Sequence, residues 1–316
     1  MRAAKSIALR LLYGLLSLIF ISFVTFLADE IAPGDAALRV AGEKASQATI
    51  ERVRHEMGLD RPWYVRYAEF AGKAARLDFG RSYFGAQEPV SAVIHRSLPM
   101  TTMIAGLAIL LAAGLGIFFG TIAAVKQHKF ADGAILSLST LGVTVPNFVL
   151  APILVYIFAV SLKVLPTTWS MNRTAPMFYY LLLPVVILAI RPMASLTRLT
   201  RANMVDTLQQ EFVRLAVAKG LPRFRVIVHH ALRNAILPVI TATGTSFGFL
   251  LTGSFIVERA FQLPGMGSEA IEAIQQQNTP VIQATVLVTG ALFIGVNFLI
   301  DAILPLVDPR IRESQI

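Results

Sequence analysis

Six stretches, each long enough to cross a lipid bilayer, run through the 316-residue chain, and they constrain its fold more than any other feature. A spanning helix needs about 20 mostly apolar residues. The runs cover 7–28, 100–125, 134–160, 179–197, 238–257 and 281–304. No gap between them could hold a sizeable soluble domain; the longest are 29–99 and 198–237. The first run is longer than the apolar core of a signal peptide, and no clear A-x-A site follows it, so it reads as an uncleaved span. Pro146 and Pro152 delete backbone donors in the third run and are expected to bend it. The expected fold class is an all-α membrane protein of six transmembrane helices, forming a single domain over 1–316. Charged residues make up only 15% of the chain, against about 25% in soluble domains.

The formal charge of +9 invites a polyanion partner such as nucleic acid. That inference holds only if the charge lies on a soluble surface. Lys and Arg also mark the cytoplasmic side of a membrane protein. With the amino terminus inside, the inside segments carry 14 basic and 5 acidic residues, and the outside segments 13 of each. The whole net charge thus falls on one face. Both termini are expected in the cytoplasm, 29–99 outside, and 198–237 inside. No nucleic-acid partner is expected.

Within the inside segment, Glu211-Phe212-Val213-Arg214-Leu215-Ala216-Val217-Ala218-Lys219-Gly220 combines small residues with flanking bases that include Arg223 and Arg225. On composition alone it is either a solvated loop or a surface that another protein approaches closely. The segment resembles the coupling loop of ATP-binding cassette (ABC) importer permeases in their peptide/nickel subfamily form, an acid, an aromatic and Val followed by Ala-x-Ala-Lys-Gly-Leu. Only Ala216, Gly220 and Leu232 fit the loop's general family form; the subfamily form fits nearly throughout. Further blocks resemble that subfamily in order along the chain. They are Ile31 with Pro33-Gly34-Asp35, Gly58-Leu59-Asp60-Arg61-Pro62, Asp78-Phe79-Gly80-Arg81-Ser82, Glu258 and Phe261 with Pro264-Gly265-Met266-Gly267, and Asp308-Pro309-Arg310-Ile311-Arg312. Leu77 departs from a leading Gly in the third block.

The resemblance implies a type I ABC importer permease fold in the bacterial inner membrane. It implies half of a translocation path for di- or oligopeptides, nickel or peptide-like solutes. The implied partners are a second homologous permease, two ABC ATPase subunits and an extracytoplasmic substrate-binding protein. ATP and Mg would sit on the ATPases, with no cofactor or metal bound by this chain. Coupling would run through 211–234, with Glu211, Arg214, Ala216, Ala218, Lys219, Gly220 and Arg223 at the ATPase surface and the small residues permitting close docking.

Arg191 is the one basic residue deep in a span. Buried charge in lipid is expensive and usually faces a cavity or a partner. It could meet a substrate carboxylate, or pair with a carbonyl, with Asp301 or with the second permease. Thr241, Thr245 and Ser246 make the fifth span the expected pore wall, unless the hydroxyls bond back to their own helix. Gly244 with Gly248, and Gly116 with Gly120, are small-xxx-small pairs suited to helix packing. Outside, Trp63, Tyr64, Tyr67 and Glu258 are expected to dock the binding protein or gate the outer mouth. The aromatics could equally be interfacial anchors.

Two other classes compete. Gly244-Thr245-Ser246-Phe247-Gly248 matches G-x-S-x-G, which would suit an intramembrane serine hydrolase. None of the five histidines lies in a span to act as its base, and the strand-turn-helix context is missing. A secondary transporter or channel usually keeps acids and repeated broken helices near the midplane. Here Asp301 is the only span acid and lies near an end. With no G-x-x-x-x-G-K-[ST] loop, ATP must be bound elsewhere.

Overall fold

The computed structural model describes residues 2–31, 36–42, 44–84, 86–170 and 175–307. The Pro33-Gly34-Asp35 and Asp308–Arg312 blocks lie outside the described residues. In chain order the helices are α1 (Arg2–Ile31), α2 (Ala36–Ala41), α3 (Gln47–Glu56), α4 (Trp63–Ala74), α5 (Val90–Val125), α6 (Phe130–Thr144), α7 (Asn147–Val155), α8 (Met177–Leu208), α9 (Glu211–Ala218), α10 (Arg223–Arg225), α11 (Arg233–Gly253), α12 (Phe255–Ala260), α13 (Met266–Gln276) and α14 (Thr279–Val307). Two π-helical segments, Tyr156–Ser161 and Val226–Leu232, continue α7 and join α10 to α11.

Among the described residues, five helical stretches are long and apolar enough to cross a membrane, and α6 with α7 makes a sixth when counted as one bent span. The pair is bent by 104°. The break falls at Val145-Pro146, where Pro146 offers no N–H and starts α7. Pro152 stays inside α7, and a π turn follows it. Of the two prolines expected to bend this run, the first breaks it and the second is absorbed.

α5 and α8 extend ten residues or more beyond their apolar runs. α5 begins at Val90 and passes through Pro99. Its first turns hold because Val90, Val93 and Ile94 pack in one core with Met266, Ala273, Val281 and Ala284. α8 continues past Thr197 to Leu208, its polar end held by Arg201 on Asp132.

The chain divides into two compact units. In the first (1–99 and 264–292), α4 lies against α1. The Phe23, Phe26, Tyr67 and Phe70 rings pack together, and the Arg66 guanidinium pairs with Glu30. Asn278 donates to Ser82 Oγ at 2.8 Å and accepts from the Tyr83 N–H at 3.1 Å. Ser46 caps α3, which ends at Met57 and the left-handed Gly58.

In the second unit (100–263 and 293–316), α8 runs between α6 and α11, and glycines set the spacing. A Cβ at Gly120 of α5 would lie 2.6 Å from the Thr197 carbonyl oxygen and 2.6 Å from Thr200 Cβ. One at Gly116 would lie 2.9 Å from Leu196 Cβ. Gly244 and Gly248 of α11 are filled by Ile300 and Phe293 of α14 in the same way. Both glycine pairs are therefore packing devices. The G-x-S-x-G match is two such close approaches on a continuous helix, not a nucleophile turn.

Candidate functional site

The candidate coupling element is α9 with its C-terminal turn. Gln210 begins it in extended conformation and Glu211 sits in the first turn, where a carboxylate favours the helix dipole. At its end, Leu221 N–H reaches the Ala216 carbonyl (3.3 Å) and Gly220 N–H the Val217 carbonyl (2.9 Å). Gly220 has φ +75°. This pair of bonds is a Schellman end, with Gly220 at the left-handed position and Pro222 barring continuation. A Cβ at Gly220 would meet nothing within 4 Å, so its requirement is conformational and not one of space.

Val213 and Ala216 face inward, where they form a small core with Val226 and the partly buried Leu208 and Leu221. The expectation that Ala216 leaves room for another protein is thereby corrected: it is 5% exposed and seats α9 on its own chain. The outward face carries Glu211, Arg214, Ala218 and Lys219, together with Phe212, Leu215 and Val217. Just beyond, Phe224 is 73% exposed between Arg223 and Arg225. Four large apolar side chains thus stand in water beside basic ones, a composition that marks an interaction surface. Sequence reasoning singled out the small and charged residues here and missed the exposed apolar ones. The period alone separates only Leu215, since 212 and 217 each stand four residues from a buried position and flank the 213/216 face.

Beneath this element the α8 end is fixed. Arg201 grips Asp132 of α6 through two bonds, Nε to Oδ1 at 2.5 Å and Nη2 to Oδ2 at 2.7 Å, while the His128 N–H donates to the same carboxylate. Asp132 is buried. Ala124, Met204, Ala231 and Ala235 pack in one cluster that ties the ends of α5 and α8 to the start of α11.

The candidate path element is a cavity of about 700 Å³ in the second unit, lined by Arg191, Ser195, Ser246, Thr252 and Asn147 among apolar neighbours. Asn147 Oδ1 is buried with no hydrogen-bond partner. Arg191 makes no ion pair or hydrogen bond with a described residue; the side chain of Asp301 lies outside those described. Thr241 and Thr245 do not line this cavity. Their hydroxyls donate back to the Leu237 and Thr241 carbonyls, at 3.5 and 3.2 Å.

On the first unit, Trp63 and Tyr64 are exposed. Tyr67, half-buried, is turned onto α1, its hydroxyl 3.0 Å from Ser22 Oγ, so it holds α4 in place. Glu258 is in the second unit and fully buried, bonded to Ser254 Oγ at 2.7 Å. A soluble partner cannot reach it, and the docking role expected for it does not fit its position. The first unit also holds an Arg96 bridge, with Nη2 to Glu88 at 3.1 Å and to Glu269 at 3.4 Å. Burial pushes the Glu269 carboxyl above the ordinary glutamate range, and Arg96 acts in the opposite direction.

Residues 116–313 match the family model described as binding-protein-dependent transport system inner membrane component, and residues 4–105 match the N-terminal model of the same systems. The chain is 39% identical over 298 residues to the dipeptide transport system permease protein of Bacillus subtilis (strain 168), covering 94% of each. It is 34% identical over 302 residues to the glutathione transport system permease protein of Escherichia coli (strain K12), covering 95% of this chain and 97% of that one. A Brucella abortus (strain 2308) protein ascribed to a peptide transport system is 37% identical over 298 residues.

Proposed function

The chain belongs to the family of binding-protein-dependent transport system inner membrane components, and from that premise we propose that it forms half of an import path for di- or oligopeptides, beside a second, homologous permease. Family membership makes it a multi-pass inner-membrane transport subunit of an ABC importer and not a catalyst, with an ATPase and a binding protein as partners. Peptide as the cargo is supported by the systems to which its relatives belong, one for dipeptides and one for glutathione. Both termini are cytoplasmic in this reading, as the charge asymmetry favours.

Coupling runs through the outward face of α9 and the turn after it. The observation that carries this is the exposed set Phe212, Leu215, Val217 and Phe224 rimmed by Arg214, Lys219, Arg223 and Arg225. The apolar residues supply contact area, and the bases suit an acidic rim on each ATPase. Ala216 and Val213 transmit the push into the chain, and Gly220 sets where the lever ends. Ser246 and Arg191 stand on the path; Trp63 and Tyr64 stand on the outer segment that faces the binding protein.

Leu215→Asp and Phe224→Asp each place a charge on the docking face without touching the core beneath. Both variants should insert at wild-type levels and lose peptide uptake, with ATP hydrolysis no longer stimulated by loaded binding protein. Unchanged uptake and stimulation in both would overturn the assignment of this face.

A further inference from the structure

Between residues 180 and 200, α8 is buried or half-buried at every position except Arg191, Ser195 and Arg198. These three stand at i, i+4 and i+7, one stripe along a single helix face. Arg191 lies near the middle of the 32-residue helix, with 14 residues before it and 17 after. At that depth the medium is hydrocarbon, and Arg191 with Ser195 one turn on cannot face it without large cost, while Arg198 stands at the inner end of the span. Nor do these side chains answer one another or the rest of the chain: among the described residues none of the three makes a hydrogen bond or an ion pair. Two arginines elsewhere in the fold are paired, Arg201 with Asp132 and Arg96 with Glu88. Arg191 and Ser195 both line the 700 Å³ cavity, where Ser246 and the orphaned Asn147 carbonyl oxygen join them.

We infer that this stripe is a cationic track in the water-filled path, on which a carboxylate of the cargo is held at Arg191 and passed toward Arg198. The inference rests on the permease reading and adds a substrate class to it: solutes carrying a free carboxylate, with Ser195 and Ser246 as hydroxyl donors to the same group. A guanidinium suits this role because it stays charged and presents donors in a planar fork that matches a carboxylate. Two cations about two turns apart also keep the anion from resting at one point. The Asn147 oxygen, which can only accept, suits a donor of the cargo and not the carboxylate.

The chain has no cysteine, so single thiols report cleanly. Ser195→Cys is close to isosteric and sits between the two arginines. The complete importer carrying it is labelled in nanodiscs, nucleotide-free and ATP-trapped, with sulfonatoethyl or trimethylammonioethyl methanethiosulfonate. Modification is read from the mass of this subunit, and each rate is divided by that of the reagent with a free small thiol. One cation about 6 Å away in water favours an anionic over a cationic reagent roughly tenfold at low ionic strength. The expected result is reaction in at least one state, with at least that normalised preference for the anionic reagent, falling several-fold when Arg191→Gln is added.

Two results would overturn the track. One is a Ser195→Cys thiol that stays unreactive in both states while an exposed Gln275→Cys is labelled fully, or that reacts only once the second permease is removed. The other is a normalised preference that Arg191→Gln leaves unchanged. Uptake of peptide by the same wild-type complex is measured in parallel. Uptake without reactivity would sink the track and leave the permease reading standing, and absence of uptake would count against that reading instead.

Discussion

Substituting Gly120 by Ala tests whether α5 and α8 are in contact at the distance the fold requires. The new methyl would stand 2.6 Å from the Thr197 carbonyl oxygen, 2.6 Å from Thr200 Cβ and 3.0 Å from Thr200 Cγ2. Two of these three are neither flexible nor remote: a main-chain oxygen and a β-branched Cβ on a helix. Reaching an ordinary separation of about 3.4 Å requires the helices to part by about 0.8 Å locally, in an interior packed as densely as an organic crystal. Such overpacking costs about 1–3 kcal/mol. Against this, Ala exceeds Gly in helix propensity by about 1 kcal/mol. Gly114 supplies the control on the same helix, since it is exposed and its Cβ would meet nothing within 4 Å. Gly114→Ala retains the propensity gain alone. The two variants should therefore differ by about 1–3 kcal/mol, or about 2–12 °C in melting temperature for a unit of this size. The assay is thermal unfolding of the purified complex followed by size-exclusion chromatography or intrinsic fluorescence. Equal melting temperatures for the two variants would refute the close crossing, and with it the claim that glycine spacing fixes α8.

Gly220→Leu should insert normally and uncouple ATP hydrolysis from uptake, because a leucine at φ +75° costs about 1–2 kcal/mol and unwinds the end of α9; Gly220→Asn, which tolerates that conformation, should recover most of the uptake. Asp132→Asn leaves Arg201 without its buried counter-charge and should destabilise the second unit by about 2–4 kcal/mol, less than for a fully buried pair because Arg201 is partly exposed; a melting temperature equal to wild type would show the pair to be idle. Glu269 binds its proton more tightly folded than unfolded, so stability should fall as pH rises from the ordinary glutamate range through its elevated folded value. Glu269→Gln should flatten that part of the pH profile, which melting curves taken in steps from acid to neutral pH would reveal. Arg191→Gln should lower uptake of free-carboxylate peptides more than that of their C-terminal amides, among peptides the wild type imports; equal losses would remove Arg191 from cargo recognition.

Hydropathy made the six crossings legible because lipid imposes one length and one polarity on every span. It did not mark their ends. Pro99 looked like a boundary, yet α5 runs through it, since Val90, Val93 and Ile94 gain more by joining the core around Met266 and Val281 than the helix loses at one missing N–H. The Asp132–Arg201 clamp joins residues 69 positions apart that a linear reading leaves in two separate loops. Motif resemblance singled out the proposed coupling segment but not which way its side chains point. Ala216 matched a pattern and turned out to be core, as a helix with one seated face requires. Glu258 matched a pattern too, and the short helix α12 folds it onto Ser254. A motif preserves residue identity, whereas orientation is set by partners distant in sequence.

The π turn at Val226–Leu232 acts as a phase shifter. Buried positions along this rod fall at Val226, Ala231, Ala235 and Val239, spaced by five, four and four. An uninterrupted α-helix advances about 100° per residue, so the extra residue in the first step is a correction of that size. One side of the rod must serve two clients: Val226 closes the seam under α9, and Ala235 belongs to the cluster around Met204 of α8. Removing a single residue from the turn would leave every side chain of α9 present and intact. It would nonetheless rotate the seat of α9 by more than a quarter of a revolution relative to α11.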